Sequence, residues 1–598
     1  MPVYSAPVKD SQFVLNDLLN IYSLTNTIPG FAQIGSDLTK AILEEGAKFV
    51  EEKLHPINQS GDEEGCTRHA DGSVTTPSGF KEAYQAWCEA GWGTLSAPER
   101  FGGQELPYVL TMAFNEYPSA ANHSFAIYSG LTQGAVAALV ASGSEKLIET
   151  YVTKMVSGEW SGTMNLTEPH CGTDLGLIRT KAVPEEDGSY RITGTKIFIS
   201  AGEHDLTENI IHLVLARAEG SPEGIKGISL FVVPKYLVNE DQSLGERNTL
   251  SCGAIEKKMG IHANATCLLN FDEAKGWMIG EKDRGLGGMF VMMNAARIGV
   301  AMEGLAASEA AYQNAVAYVK ERKQGRALTG AKNPDDKADP LIVHPDIRRM
   351  LMDIRSFNEG ARALILWAAL QVDLARNAPD EADRQKADDL LGLLTPVLKG
   401  YFTDKGYENS TLAQQCFGGH GYIREWGMEQ LVRDARISQI YEGANGVQAL
   451  DLVGRKLPKN GGRAIQTWFA LLGDHCDDLQ GNEAMTPFVA ALKAALEDLK
   501  AATMWLVQHG MQNPNEAGAA SYAYMTMMGH IAVGYFWTLI AQKAQEHLDA
   551  GDGDQDFWEA KLVTGRHFIN RHLCETATLR RKIEAGCETI MALPANAF

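Results

Sequence analysis

The sequence predicts an α+β protein that is mainly α: a helical region, a small antiparallel β-domain, a helical bundle and an extra C-terminal helical module. Apolar residues recur at helical spacing through 35–160 and again after Gly288. Between these stretches, over 161–285, short β-branched or apolar segments are separated by Gly, Asp, Asn and Pro turns. The composition, 45% hydrophobic and 22% charged over 598 residues, is that of an ordinary globular chain with several domains.

Taken in order, 1–34 reads as an irregular, extended arm ending at Pro29-Gly30. The segment 38–54 has Leu38, Ala41, Ile42 and Phe49 on one helical face and Glu44, Lys48 and Glu51 on the other. Further helices are expected at 80–90, 106–122, 131–142 and 145–157. Strands are expected at 190–200, 210–218, 227–234 and 267–271. No G-x-G-x-x-G opens a helix after a strand, which argues against a Rossmann fold. The helix 297–322 carries Ile298, Met302, Leu305, Tyr312, Val316 and Val319 as one stripe, and Glu309 falls on it. A buried Glu309 must be paired. Helices continue over 345–377, 383–417 and 428–455, and the turn-rich 456–462 reads as a linker. The expected division is an arm 1–34, a helical domain 35–160, a β-domain 161–285, a bundle 286–455 and a module 463–598.

The net charge, 54 Lys+Arg against 75 Asp+Glu, is −21, which argues against a general nucleic-acid binder. Nine scattered cysteines without C-x-x-C fit reduced thiols and a cytoplasmic chain rather than a disulfide framework or a metal site. The first residues lack a basic start leading into an apolar run, so no targeting peptide is read there. The stretch 517–542 has no charged residue and is long enough to span a bilayer. It also holds Ser521, Thr526, His530 and Thr538, and is read as a buried helix.

Several segments carry candidate chemistry. In Gln439-Ile-Tyr-Glu-Gly-Ala-Asn-Gly446, Glu442 lies between Tyr441 and Gly443, where partial desolvation makes a carboxylate a better base. Gly443 lets another molecule approach the backbone; a capped helix end with a solvated Glu442 is the plainer alternative. In Leu166-Thr-Glu-Pro-His-Cys-Gly-Thr-Asp174, Thr167 and Thr173 offer hydroxyls on a turn-prone loop. In Gly194-Thr-Lys-Ile-Phe-Ile-Ser200, Phe198 could cover a flat ring and Ser200 bond its edge. Gln415-Cys-Phe-Gly-Gly-His-Gly-Tyr422 brings backbone close to something, or simply ends a helix. Arg297 and Glu321-Arg322-Lys323 supply fixed positive charge.

In this order the segments strongly resemble the acyl-CoA dehydrogenase family over residues 35–455. The resemblance implies a helical domain, a middle β-domain and a four-helix bundle holding FAD, in a homodimer or homotetramer. It implies that Glu442 is the catalytic base, and that Leu166, Thr167 and Thr173 contact the flavin or its diphosphate. Phe198 and Ser200 would line the isoalloxazine, with Ala444, Asn445 and Gly446 near the adenosine. Arg322, Gln415, Gly418 and Gly419 would reach the FAD of a neighbouring subunit. Thr173, Asn294, Arg297 and Gly443 are the expected substrate-side residues, Arg297 supporting the base. The chain departs from the family where Phe198 replaces a frequent Trp, and Ser200 and Ala444 a frequent Thr. Gln324 also runs straight into Gly325, and His170-Cys171 stand where small residues are usual.

The N-terminal arm, the insertions around 219–256 and the extension 463–598 resemble the large bacterial branch of that family. The expected reaction is formation of a trans-2-enoyl-CoA from an acyl-CoA, with an electron-transfer flavoprotein as acceptor. The expected substrate is 3-(methylthio)propanoyl-CoA, with medium- or long-chain fatty acyl-CoA as the alternative. An oxidase, which would release H₂O₂, and a non-catalytic acyl-CoA binder are the rival readings.

Overall fold

A computed structural model describes Pro2–Phe598, leaving aside the side chains of Pro29, Phe290, Val291, Asn294 and Ala295. The chain forms two compact units, one of residues 46–106 and 121–299, the other of 1–45, 107–120 and 300–598.

The first unit is built on a seven-stranded sheet. Its strands are β1 (Trp160–Asn165), β2 (Lys181–Pro184), β3 (Tyr190–Ser200), β4 (Asn209–Ala218), β5 (Ser229–Pro234), β6 (Leu250–Ile255) and β7 (Thr266–Ile279). They run in the order β6-β7-β3-β2-β4-β1, with β5 paired to both β7 and β4. The sheet departs from the purely antiparallel expectation, because β1 and β2 each pair parallel to β4. Strand β7 is also longer than the 267–271 expected. Register shifts after Cys267 and Phe271 bend it, so that its first part pairs with β3 and its last residues, Trp277–Ile279, with β5. Strand β1 escaped the sequence reading because Trp-Ser-Gly-Thr-Met-Asn has no β-branched run, only burial on both sides. The helix His123–Ser142 is capped by Asn122, whose Oδ1 accepts the Phe125 N–H at 3.1 Å. It starts earlier than expected and lies close on β1: a Cβ at Gly162 would meet Ala135 Cβ at 2.6 Å. Among the described residues it is the one helix long and apolar enough to cross a membrane, with half of that window buried.

The second unit is helical. Its frame is Tyr108–Ala121, the C-terminal part of Gly285–Glu321, Pro345–Asn377, Glu381–Cys416 and Met428–Ser438. Gly304 and Gly406 set one crossing, since a Cβ on Gly304 would lie 2.5 Å from the Phe402 carbonyl oxygen and one on Gly406 would strike the Gly304 carbonyl. The helices Gly285–Glu321 and Glu381–Cys416 therefore touch backbone to backbone. The expected continuous helix over 428–455 is broken: it stops at Ser438 and resumes at Asn445. The arm is also helical rather than extended, from Val8 to Phe13.

The uncharged stretch 517–542 lies inside the helix Pro514–Ala550 and is largely buried, as a core helix should be. Gly529 admits the Tyr401 ring, and Trp537 Nε1 donates to the Ser356 carbonyl at 2.8 Å over Gly360. The segment after 463 is thus packed on the bundle of its own unit.

Arg362, 1% exposed, joins much of this unit. It binds Glu116 through two hydrogen bonds of 2.8 and 2.6 Å, Asp10 at 3.1 Å and Glu309 at 3.1 Å. Lys561 of Gln555–Arg571 binds the same Asp10, and Glu359 at 2.9 Å. Glu309 is therefore paired, as its place on an apolar stripe required. Removing one partner of such a buried cluster strands the others in low dielectric. Arg362→Met is expected to lower stability by about 3–5 kcal/mol in denaturant unfolding. Adding Glu116→Gln should recover part of the loss; an unchanged midpoint for Arg362→Met would show that the cluster contributes nothing.

Candidate active site

In the helical unit, the loop 439–444 is fastened to Glu381–Cys416. Lys399 Nζ, fully buried, donates to the Gly443 carbonyl at 2.7 Å and to Asn445 Oδ1 at 2.8 Å. The Asn445 amide donates to the Gly400 carbonyl, Thr403 Oγ1 and Asp404 Oδ1 at 2.8–3.0 Å. Gln439 Nε2 donates to Asp404 Oδ1 at 2.7 Å. This docking holds Glu442 at φ 54° and Gly443 at φ 90°, both left-handed. Glycine adopts that region freely; a glutamate does not. Glu442 is half-buried, as are Gly443 and Ala444, while Gly446 is exposed.

Beside Glu442 stands a second carboxyl. Tyr441 Oη donates to Glu303, on the helix Gly285–Glu321. Burial pushes Glu303 up to about 8; the Tyr441 hydrogen bond pulls down, and the Glu442 charge pushes further up. Sequence reasoning missed Glu303, Tyr441 and Lys399. The available signal was that Glu303 is the lone charged residue between Arg297 and Glu309.

In the sheet unit, the loop after β1 is fixed from within. Glu168 accepts from Lys196 Nζ at 2.9 Å, Thr180 Oγ1 at 2.6 Å and the Arg179 N–H at 2.8 Å. Against the effect of burial, Lys196 and Thr180 hold its carboxyl below the usual range. Lys196 Nζ also donates to the Leu166 carbonyl at 2.9 Å, and the Ile197 N–H to the Thr167 carbonyl at 2.9 Å. Leu166 and Thr167 therefore lie along the strand that carries Phe198 and Ser200. Phe198 has φ 59° and is 60% exposed, so the end of this strand presents an aromatic ring outward at a conformational cost. Thr173 follows on the same loop and is exposed. An exposed ring flanked by hydroxyl side chains fits an aromatic, hydrogen-bonding group such as a flavin. Arg297 is buried, and Asn294 lies outside the residues whose side chains are described.

A third set lies elsewhere. Arg322 follows the end of Gly285–Glu321, and Gln415, Gly418 and Gly419 lie at the end of Glu381–Cys416. Tyr318 stacks on Phe417 at 4.1 Å and its hydroxyl meets His420 Nδ1 at 3.0 Å, drawing the two ends together. Eighteen residues separate Glu303 from Glu321 on one helix, about 27 Å at 1.5 Å per residue. Within one chain, the fold does not bring Arg322, Gln415, Gly418 and Gly419 to Glu442.

Four family models match in succession: acyl-CoA dehydrogenase N-terminal domain (36–159), middle domain (163–274) and C-terminal domain (283–457), then acetyl-CoA dehydrogenase C-terminal like (465–594). A 3-methylmercaptopropionyl-CoA dehydrogenase of Ruegeria pomeroyi is 40% identical, covering 97% of this chain and 98% of that protein. A broad-specificity linear acyl-CoA dehydrogenase of Mycobacterium tuberculosis is 34% identical over the full length of both. Among solved structures, the Caenorhabditis elegans ACDH-11 complex with C11-CoA superposes with TM-score 0.78 at 20% identity, covering 98% of this chain and 95% of that one. A Bacillus anthracis acyl-CoA dehydrogenase complexed with FAD gives 0.74 at 19% identity, covering 94% and 90%.

Lys399→Met deprives the Gly443 carbonyl and Asn445 Oδ1 of a buried donor. The Gly443 carbonyl keeps Gln448 Nε2 and Asn445 Oδ1 keeps Thr403 Oγ1, each at 3.3 Å, so the loss is that of the hydrogen bonds from the charged ammonium, about 1.5–3 kcal/mol each. The variant is expected to fold with a lowered denaturant midpoint and to lose activity. An undiminished midpoint would mean that the loop is held by other contacts.

Proposed function

The chain belongs to the acyl-CoA dehydrogenase family of FAD-dependent oxidoreductases, and we propose that Glu442 is its catalytic base, acting on a short acyl-CoA thioester such as 3-(methylthio)propanoyl-CoA. The observation that carries the reading is Glu442 itself, a carboxylate in a left-handed backbone held by Lys399 and Asn445. The substrate follows from the full-length likeness to the Ruegeria pomeroyi enzyme. A linear fatty acyl-CoA is the second reading, favoured by the Mycobacterium tuberculosis relative.

Leu166, Thr167, Thr173, Phe198 and Ser200 are proposed to hold the flavin, with Ala444 and Gly446 near its adenosine. Asn445 shapes that loop through its side chain, whose amide is engaged inside the protein. FAD, when bound, supplies the acceptor for the β-hydrogen, which leaves as hydride. Glu442 takes the α-proton into its carboxylate, and its own N–H together with the Gly443 turn orients the thioester carbonyl. Arg297 is proposed to support the base, and Asn294 to lie on the substrate side. The 27 Å between Glu303 and the end of its helix supports assigning Arg322, Gln415, Gly418 and Gly419 to the FAD of a second copy, in a homodimer or homotetramer. An electron-transfer flavoprotein is the proposed electron acceptor, and the nine free thiols fit a cytoplasmic setting.

Anaerobic titration with 3-(methylthio)propanoyl-CoA, butanoyl-CoA and palmitoyl-CoA should bleach the flavin band fastest with the thioether. Preference for palmitoyl-CoA would select the fatty-acid reading. Glu442→Gln should retain flavin and lose about 10²–10⁴-fold in the reductive rate, the range of general-base catalysis. A variant that bleaches at the wild-type rate would place the base elsewhere.

A further inference from the structure

The pair Glu303 and Tyr441 has no part in the mechanism above, yet it adjoins the base. Tyr441 precedes Glu442 in the chain, and its hydroxyl donates to the Glu303 carboxyl. The helix carrying Glu303 is pressed on Glu381–Cys416 at Gly304 and Gly406, and Lys399, which anchors the loop, stands on that second helix. Among the groups acting on Glu303 are the Tyr441 phenol and Glu442 carboxyl from the loop and the Lys399 ammonium from Glu381–Cys416. A further acid of this network, Asp404, is engaged by Gln439, Asn445 and Tyr522.

We propose that Glu303 is a positioning residue for Glu442: it fixes the Tyr441 ring, and its own proton sets whether the base works beside a neutral or a charged neighbour. The proposal rests on Glu442 being the base. Its chemistry follows from the order of ionisation. Burial keeps Glu303 protonated up to about 8, and the Glu442 charge pushes in the same direction. Tyr441 remains a donor, because burial and the neighbouring Glu303 push its phenol well above its ordinary value. As pH rises through about 8, Glu303 loses its proton and two like charges face each other. That repulsion is relieved when Glu442 takes up a proton, so α-proton abstraction becomes easier. The proton count per turnover does not change, because Glu303 exchanges its proton with solvent and not with substrate.

The test is stopped-flow reduction of the flavin in the purified holoenzyme at saturating acyl-CoA from pH 6 to pH 10. Wild type should show a rise in rate with a midpoint near 8. Glu303→Gln keeps a hydrogen-bonding side chain but has no charge to gain, and its profile should lack that rise. Tyr441→Phe removes the bond that draws the Glu303 value down, so its midpoint should move above about 8. A merely structural role for Glu303 would lower rates uniformly and move no midpoint. The same rise persisting in Glu303→Gln, or an unmoved midpoint in Tyr441→Phe, overturns the proposal. The base assignment is tested separately: fast reduction by Glu442→Gln would remove that assignment whatever the Glu303 variants show.

Discussion

The helical unit depends on one buried guanidinium. Arg362 holds carboxylates from the N-terminal arm (Asp10), from Tyr108–Ala121 (Glu116) and from Gly285–Glu321 (Glu309). Lys561 extends the cluster into the C-terminal module through Asp10 and Glu359. Buried charges seldom stabilise a fold more than apolar packing would, because desolvation offsets their attraction. What they impose is geometry: a carboxylate displaced from Arg362 would be unpaired in low dielectric. The cluster thereby fixes which helices meet and in what register, over parts of the sequence more than 500 residues apart (Asp10 and Lys561).

That register reaches the candidate site along a single helix. Glu309 is six residues from Glu303, about 9 Å at 1.5 Å per residue. Between them, Gly304 removes the side chain that would keep Glu381–Cys416 at the usual interhelical distance. The second helix then carries Lys399 and Thr403 to the loop 439–445. The Arg362 cluster sets where the helix lies, the glycine contact sets how closely its neighbour approaches, and the lysine ties down the loop.

What the sequence could reveal followed from periodicity and motif order. The long helices 297–322, 345–377 and 383–417, and the strands 190–200 and 210–218, announce themselves through apolar spacing. Glu309 could be read as paired because a carboxylate on an apolar stripe has no other inexpensive solution. Features that depend on distant partners were not legible. Strand β1 is recognisable only from its burial against Ala135 and its parallel pairing with β4. The break after Ser438 is hidden because 428–455 keeps helical spacing; the interruption comes from Lys399 capturing the Gly443 carbonyl and Asn445, forty-odd residues away in sequence. Glu303 escaped because standing as the lone charge between Arg297 and Glu309 does not say that it will meet Tyr441.

Two of the residues proposed to do chemistry share a trait that composition and periodicity cannot register. Glu442 and Phe198 both have positive φ without being glycine. For ordinary side chains the left-handed region costs about 1–2 kcal/mol per residue, so such a conformation persists only where surrounding contacts enforce it. At Glu442 those contacts are the Lys399 and Asn445 hydrogen bonds; at Phe198 they are the ladder to β7 and the bond between Ile197 and Thr167. In both places the strain turns a side chain out of the path regular structure would give it: a carboxylate out of a helix, an aromatic ring out of a strand. Local preference and global fold disagree at these two positions, and a sequence tolerates such disagreement where function requires it. The same logic separates Glu442 from Glu303, which sits in unstrained helix and so belongs to the support of the site rather than to its reacting surface.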